Sequence, residues 1–201
     1  MPTIFDTAQA SYTYAEFIKL LENLMAEGKT TGNTQTEEYL HYAKLNLQRM
    51  RRWDKTFVLN EDLKKLLEQM PEQQWWVITE GWCGDSAQNL PGIVQMAEAS
   101  KGKIDLRIVL RDEHPEIIDQ YLTNGTRSIP IVVAFDGNDQ ELFHWGPRPA
   151  AAQKLLVNWK NEEPQRSFEE FEQEMHTWYA KDKGQQLQQE WFQLLSAASL
   201  K

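Results

Sequence analysis

The chain has 201 residues and carries 21 basic against 30 acidic side chains, for a formal net charge of −9. With 41% hydrophobic and 25% charged residues, its composition is that of a folded protein, which excludes disorder as its main state. The acidic balance leaves no surplus positive charge for phosphate groups, so neither a nucleic acid nor an anionic membrane surface is expected as a partner.

Residues 1–71 are predicted to form three helices, and we interpret them as a helical N-terminal extension. Thr13 and Thr34 are each followed three residues later by a glutamate, which is the spacing of a capping box. In that motif the two side chains satisfy each other's unpaired backbone donors at the start of a helix. Asn60 is predicted to cap the third helix in the same region.

The pattern changes over residues 72–161, where short apolar runs rich in aromatic and β-branched residues alternate with helical spacing. The turn residues 136–139 predict that the last two strands form an antiparallel hairpin. The order is β-α-β-α-β-β-α, with strands predicted over residues 75–79, 104–110, 131–135 and 141–145, and helices over 86–100, 114–123 and 150–160.

Residues 162–201 return to helical periodicity, and we interpret them as a helical C-terminal extension packed on the same domain. Ser167 and Glu170 again have the spacing of a capping box. No apolar run approaches the roughly 20 residues that cross a bilayer. The first ten residues also lack the basic start and apolar stretch of a signal peptide, so we expect a cytoplasmic protein.

The chain contains one cysteine, Cys83, which excludes an internal disulfide framework and a zinc site built from several thiolates. The four histidines lie far apart without the spacing of metal ligands, so we expect neither a metal nor a cofactor.

Cys83 lies where the first predicted strand ends and a helix begins. The N-terminus of a helix offers unpaired backbone N–H groups and a partial positive charge, which favour a thiolate by about 0.3–2 kcal/mol. One pKa unit is about 1.4 kcal/mol, so this effect lowers the thiol pKa by at most about 1.5 units. Residues 73–93 contain no lysine, arginine or histidine that would lower it further. We therefore expect a partly ionised thiol at neutral pH.

Four short motifs lie at consistent spacing in the middle of the chain: Trp82-Cys83-Gly84, Pro91, Ile129-Pro130 after Arg127, and Gly146. With them, about 90 residues of the chain resemble the thioredoxin family. The motifs match, in order, the start of the family's Trp-Cys-Gly-Pro-Cys signature, its helix-kinking proline, its cis-proline loop and the glycine of its third loop. The resemblance implies an α/β fold with a central mixed β-sheet flanked by helices. The helical segments at the two ends of the chain are additions to that fold.

The departures from the family pattern concern the mechanism. Ser86 stands where the family has its second, resolving cysteine, and Asp85 replaces the proline before it. In a dithiol protein the second thiolate attacks the mixed disulfide and releases the product, which a serine cannot do. The Ser86 hydroxyl can still donate a hydrogen bond to a Cys83 thiolate. Val77 and Ile108 occupy the positions of the buried aspartate and lysine of many thioredoxins.

The resemblance implies a thiol-disulfide protein that acts through one cysteine, with a protein client or a low-molecular-weight thiol as its partner and an external thiol for release. Cys83 and Ser86 are its candidate catalytic residues. We interpret Trp82 and Trp145 as walls of a groove and most of the other tryptophans as core. The candidate substrate-binding residues are Trp82, Gly84, Asp85, Ile129, Pro130, Trp145 and Gly146.

The alternative is a non-catalytic module that holds an extended peptide in the same groove, with Cys83 incidental. The missing resolving cysteine and the missing buried aspartate favour it. A peroxidase is disfavoured, because the Thr-x-x-Cys arrangement of peroxiredoxins is absent.

Three further features have both a functional and a structural interpretation. His144, in the third loop, is a candidate general base, although a solvent-facing strand residue is the commoner case. Arg148 lies between two prolines, from where it could reach an anionic group at the site. We interpret the cluster of Arg49, Arg51 and Arg52 as a solvated helix face.

Overall fold

The computed structural model describes residues 3–8 and 10–198 of the chain. The chain begins with a short 3-10 helix at Ile4–Thr7 and then forms one four-stranded sheet with helices around it. The strands are β1 (Gln73–Thr79), β2 (Ile104–Leu110), β3 (Ile131–Asp136) and β4 (Glu141–Trp145). The helices are α1 (Tyr14–Ala26), α2 (Glu37–Thr56), α3 (Glu61–Gln69), α4 (Gly84–Ala99), α5 (Pro115–Ile118), α6 (Ala150–Lys160), α7 (Phe168–Asp182) and α8 (Gln185–Ala198).

The sheet is mixed and has the strand order β2-β1-β3-β4. β1 pairs in parallel with β2 and antiparallel with β3, and β3 and β4 form the predicted antiparallel hairpin with an irregularity between Ala134 and Phe135. Tyr12 pairs with Ile108 on the outer side of β2, which covers part of an otherwise open edge. The predicted α/β class with a central mixed sheet is confirmed.

The two faces of the sheet carry different layers. Side chains alternate along β1, so Trp75 and Val77 face one layer and Trp76 and Ile78 face the other. The first layer contains buried residues of α1, α2, α3, α4 and α8. The second layer is thinner and contains Phe5, residues of α5 and Cys83. The helical ends of the chain therefore share their core with the middle segment.

Most of the predicted helix starts are confirmed. Thr13 and Ser167 form capping boxes with the glutamates three residues on, and Asn60 accepts the backbone N–H of Leu63. The second start is wrong by two residues, because Thr36 rather than Thr34 caps α2.

The helix predicted over 114–123 ends much earlier, at Ile118. The backbone of Thr123 pairs instead with Thr126, whose hydroxyl also donates to the Thr123 carbonyl. That turn prevents the helix from continuing. No helix among residues 3–8 and 10–198 is long and apolar enough to cross a membrane.

Candidate thiol site

Cys83 is the N-cap residue of α4, although its side chain caps none of the helix N–H groups. The Thr79 hydroxyl donates to Ser86 Oγ at 2.6 Å, and the polar groups of Ser86 lie near enough to the Cys83 sulfur to lower its pKa. The Cys83 thiol in turn donates to the carbonyl oxygen of Ile129 at 3.3 Å. The structure therefore places Ser86 and Ile129 beside the sulfur. Thr79 was missed, although it is a polar residue at the end of an apolar strand.

Burial raises the pKa of the Cys83 thiol from 9.0 to about 11. The negative charge of Asp85 raises that pKa further, while the polar groups of Ser86 and the charge of Arg148 oppose the rise. The residue is only 8% exposed. The expectation of a partly ionised thiol is wrong for this structure, because the loss of hydration outweighs the modest effect of a helix end.

Two loops meet beside the thiol. The Ile129–Pro130 peptide bond is cis, and both residues are buried. Gly146 has a φ of 136°, and a Cβ placed on it would lie 2.1 Å from the carbonyl oxygen of Pro130. Only glycine allows that approach, so Gly146 holds the third loop directly against the cis-proline loop.

The Asp85 carboxylate is held by partners within the protein. Arg148 donates to its Oδ2 through Nε at 2.9 Å and Nη2 at 2.5 Å, and the Tyr179 hydroxyl donates to Oδ1 at 2.6 Å. Asn89 Nδ2 donates to that tyrosine oxygen at 3.0 Å. Arg148 thus reaches an anionic group at the site, as proposed from the sequence, but the group is the side chain of Asp85. The hydrogen bond from Tyr179 to Asp85 also connects α7 to the start of α4.

The two tryptophans assigned to the groove have different environments. Trp82 is half-buried between Tyr39 of α2, at 5.2 Å between ring centroids, and Arg111, whose guanidinium lies 4.6 Å from its ring. Trp145 is 6% exposed, packs on Trp191 and donates its indole N–H to Glu190. Trp145 is therefore mainly a core residue, and it also lines a pocket beside Gly146 and Arg148.

The sequence model of a protein family described as thioredoxin matches residues 32–167 of this chain. The chain belongs to the thioredoxin family. Thioredoxin 1 of Nostoc sp. (strain PCC 7120 / SAG 25.82 / UTEX 2576) is 32% identical over 90 residues, which are 43% of this chain and 73% of that protein.

Two solved structures share the fold over nearly the whole chain. A protein of unknown function from Pseudomonas aeruginosa has a TM-score of 0.53 at 16% identity, with 94% of this chain and 98% of that chain covered. An HIV epitope scaffold has a TM-score of 0.54 at 16% identity, with coverage of 94% and 99%. At that identity the likeness concerns the fold alone.

The buried carboxyl near this site lies just after β1 rather than within the sheet. Val77 and Ile108 are fully buried apolar residues on adjacent strands. Glu80 is fully buried, and one of its carboxylate oxygens accepts the backbone N–H of Asp112 at 2.9 Å, with the Thr31 hydroxyl nearby. Burial raises the pKa of Glu80 from 4.5 to about 7. Sequence inspection gave no reason to single it out, since its burial depends on the loop around Thr31.

The histidine beside the thiol motif is His176 of α7, which was not singled out from the sequence. A Cβ on Gly84 would lie 3.1 Å from its Cε1 atom. His144, the histidine proposed from the sequence, lies on the exposed side of β4, where it contacts Glu141 and the ring of Tyr121. None of its described contacts involves Cys83.

The tautomer of His176 follows from its neighbours. Trp53 can only donate, and its indole N–H donates to Gln88 Oε1 at 2.6 Å. Gln88 Nε2 must therefore donate to His176 Nδ1, at 2.9 Å. In the neutral ring, the proton is then on Nε2, which faces Glu172 Oε1 at 3.6 Å.

Within the described part of the chain, no group of three or more His, Cys, Asp and Glu side chains is arranged to hold a metal ion.

Proposed function

We propose that the protein is a thioredoxin-like thiol-disulfide protein that works through Cys83 alone. The observation that carries this proposal is the polar surroundings of the sulfur. The thiol donates to the Ile129 carbonyl at 3.3 Å, and the nearby polar groups of Ser86 and the charge of Arg148 act to lower the thiol pKa. Neighbouring groups that favour negative charge on the sulfur are what a reacting thiolate requires.

The exchange step starts from the protonated thiol, because its pKa is about 11. Cys83 loses its proton to solvent, and its thiolate attacks one sulfur of a client disulfide. One S–S bond forms between Cys83 and the client, and the second client sulfur leaves as a thiolate that takes up a proton. The polar groups of Ser86 stabilise negative charge on Cys83 while the proton is absent.

The Ile129 carbonyl offers a way to couple client binding to this step. In the resting protein this carbonyl accepts a hydrogen bond from the Cys83 thiol, and that hydrogen bond is lost once Cys83 is part of a disulfide. A backbone N–H of an extended client can then bond to it by strand addition. Client docking at the Ile129–Pro130 loop therefore favours removal of the thiol proton.

The mixed disulfide should persist, since the sequence contains no second cysteine to resolve it. Release needs a thiol from outside the chain.

The direct experiment is incubation of the protein with an extended peptide that contains a disulfide, followed by intact mass measurement without reductant. We expect one peptide per chain on Cys83, none on Cys83→Ser, and slower formation on Ser86→Ala, which lacks the hydroxyl. An unmodified wild-type protein after prolonged incubation would refute the proposal.

A second candidate is a peptide-binding module in which Cys83 takes no chemical part. The burial of Cys83 and its high thiol pKa favour it. In that case the peptide binds wild type and Cys83→Ser with the same affinity and remains removable without reductant.

A further inference from the structure

A charged cleft of about 720 Å³ lies between α2 and α7, beside the thiol motif. Two of its lining side chains reach the residue that follows Cys83. A Cβ on Gly84 would lie 3.1 Å from Cε1 of His176 and 4.0 Å from Nη1 of Arg49. The charged and titratable side chains that line it are Arg49, Glu169, Glu172, His176 and Lys181.

Arg49 is positioned by the turn that leads to Cys83. Its Nη1 donates to Asn46 Oδ1 at 2.7 Å, and the buried Asn46 side chain donates to the carbonyl oxygen of Gly81 at 3.2 Å. This contact orients the guanidinium towards the start of α4 and uses one of its five N–H donors.

The Arg49 charge is not neutralised locally. Within residues 3–8 and 10–198, no carboxylate lies within ion-pair distance of it, and Glu172 acts on it only at longer range. Its neighbour Arg51 is exposed and paired with Glu22. The interpretation of the whole cluster as a solvated face is therefore wrong for Arg49, which is half-buried at the cleft. A half-buried guanidinium with free donors is a suitable partner for a carboxylate.

The opposite wall supplies acceptors. Glu172 is held by His176 and by the Tyr42 hydroxyl, and Glu169 lies exposed one turn before it. Arg49 on α2 and the two glutamates on α7, with Lys181 further along α7, give the cleft both signs of charge, which matches a ligand that carries a carboxylate and an ammonium group together.

We propose that this cleft binds a small zwitterionic thiol, and that this ligand is the external thiol that resolves mixed disulfides on Cys83. The inference rests on the proposed function. The bound thiolate attacks the Cys83 sulfur, a disulfide forms between the two, and the client leaves as a thiolate that takes up a proton. A second molecule of the same thiol attacks the first, which regenerates Cys83 and releases the oxidised thiol dimer. Two thiols thus supply the two electrons that reduce one client disulfide.

The test uses a mixed disulfide between Cys83 and thiopyridine, made with dithiodipyridine, a neutral reagent. Release of thiopyridone is followed by absorbance after addition of either glutathione, which carries carboxylates and an ammonium group, or neutral 2-mercaptoethanol. The rate constant with glutathione is divided by that with 2-mercaptoethanol, and the result is normalised to the same quotient for an unstructured cysteine peptide. We expect a normalised ratio of about ten for wild type and near one for Arg49→Gln. The charge-matched control Arg51→Gln should have the wild-type ratio.

Two further measurements distinguish the loss of a contact from a folding defect in Arg49→Gln: the variant Arg49→Lys, and the addition of salt to wild type. The lysine keeps the charge and should retain most of the preference, and 1 M salt should reduce the preference of the unaltered protein because it screens the contact. A wild-type ratio near one, or a preference that survives in Arg49→Gln, would overturn the cleft inference while leaving the proposed function intact. Failure of Cys83 to form any adduct would overturn both.

Discussion

The two helices of the C-terminal segment, α7 and α8, are attached to the molecule by different kinds of contact. α8 enters the main core: Leu187, Trp191 and Leu195 are almost completely buried. The Trp191 ring lies 4.7 Å from that of Trp75 and contacts Phe143 and Trp145. Burial of apolar surface holds this helix in place.

α7 packs its apolar side on α6, where Trp159 stacks on Phe171 at 4.6 Å. Its polar contacts with α2 and α4 include hydrogen bonds from Tyr179 to Asp85, from Asn89 to Tyr179, between His176 and Gln88, and from Tyr42 to Glu172. The contrast indicates that α8 stabilises the fold, whereas α7 completes the surroundings of the thiol. Two consecutive helices of one extension thus have separate roles.

The largest effect is expected for Trp191→Ala. Truncation of a fully buried aromatic residue costs about 3–5 kcal/mol, because the contacts are lost and a cavity remains. Urea unfolding should show this loss, while Phe192→Ala, a truncation of a 40% exposed neighbour, should cost much less. Equal losses in the two variants would contradict the assignment of α8 to the core.

Glu80, the buried carboxyl near the thiol motif and outside both helices, can be tested through pH. Its folded pKa of about 7 exceeds the ordinary 4.5, so the neutral carboxyl favours the folded state below about pH 4.5, and this contribution is lost as the pH rises towards 7. A shift of this size corresponds to about 3 kcal/mol. Glu80→Gln cannot ionise, so its stability relative to wild type should rise between pH 4.5 and 7.5. A constant difference across that range, measured by urea unfolding, would show that Glu80 titrates normally.

The smallest effect on stability, about 1–3 kcal/mol, is expected for Asp85→Asn, which leaves the largely buried Arg148 without its carboxylate. Its main effect should be on the thiol. Removal of the Asp85 charge leaves that of Arg148 unbalanced, and both changes lower the pKa of Cys83. Alkylation of Cys83 at pH 8 should become severalfold faster, while the exposed Asp119→Asn should leave it unchanged. Slower alkylation in Asp85→Asn would contradict this electrostatic account.

Elements of the fold that are determined by residues close together in the sequence could be predicted from it. The strands, the hairpin and the caps at Thr13, Asn60 and Ser167 follow from local spacing. The N-cap of α2 was misplaced because Thr34, with Glu37 three residues on, has the capping-box spacing, whereas Thr36, the actual cap, is followed at that distance by Tyr39.

The electrostatics of the site depended on contacts between distant segments. The location of Cys83, Ser86 and Ile129 followed from the motif, but the Cys83 pKa depends on how much water the packing excludes. Arg49 and His176 are far from Cys83 in sequence and reach Gly84 only through the docking of α2 and α7. No local pattern marks such residues, so the charged cleft could not be foreseen.

The central claim is that Cys83 is a reactive thiol held protonated until a client docks. The most direct test compares the rate of mixed-disulfide formation with an extended peptide disulfide and with a small neutral disulfide, in folded and in urea-unfolded protein. We predict that the folded protein prefers the peptide by at least tenfold and that unfolding removes this preference. Faster reaction of the unfolded protein with both disulfides, and no preference in the folded state, would show that Cys83 is a buried structural residue.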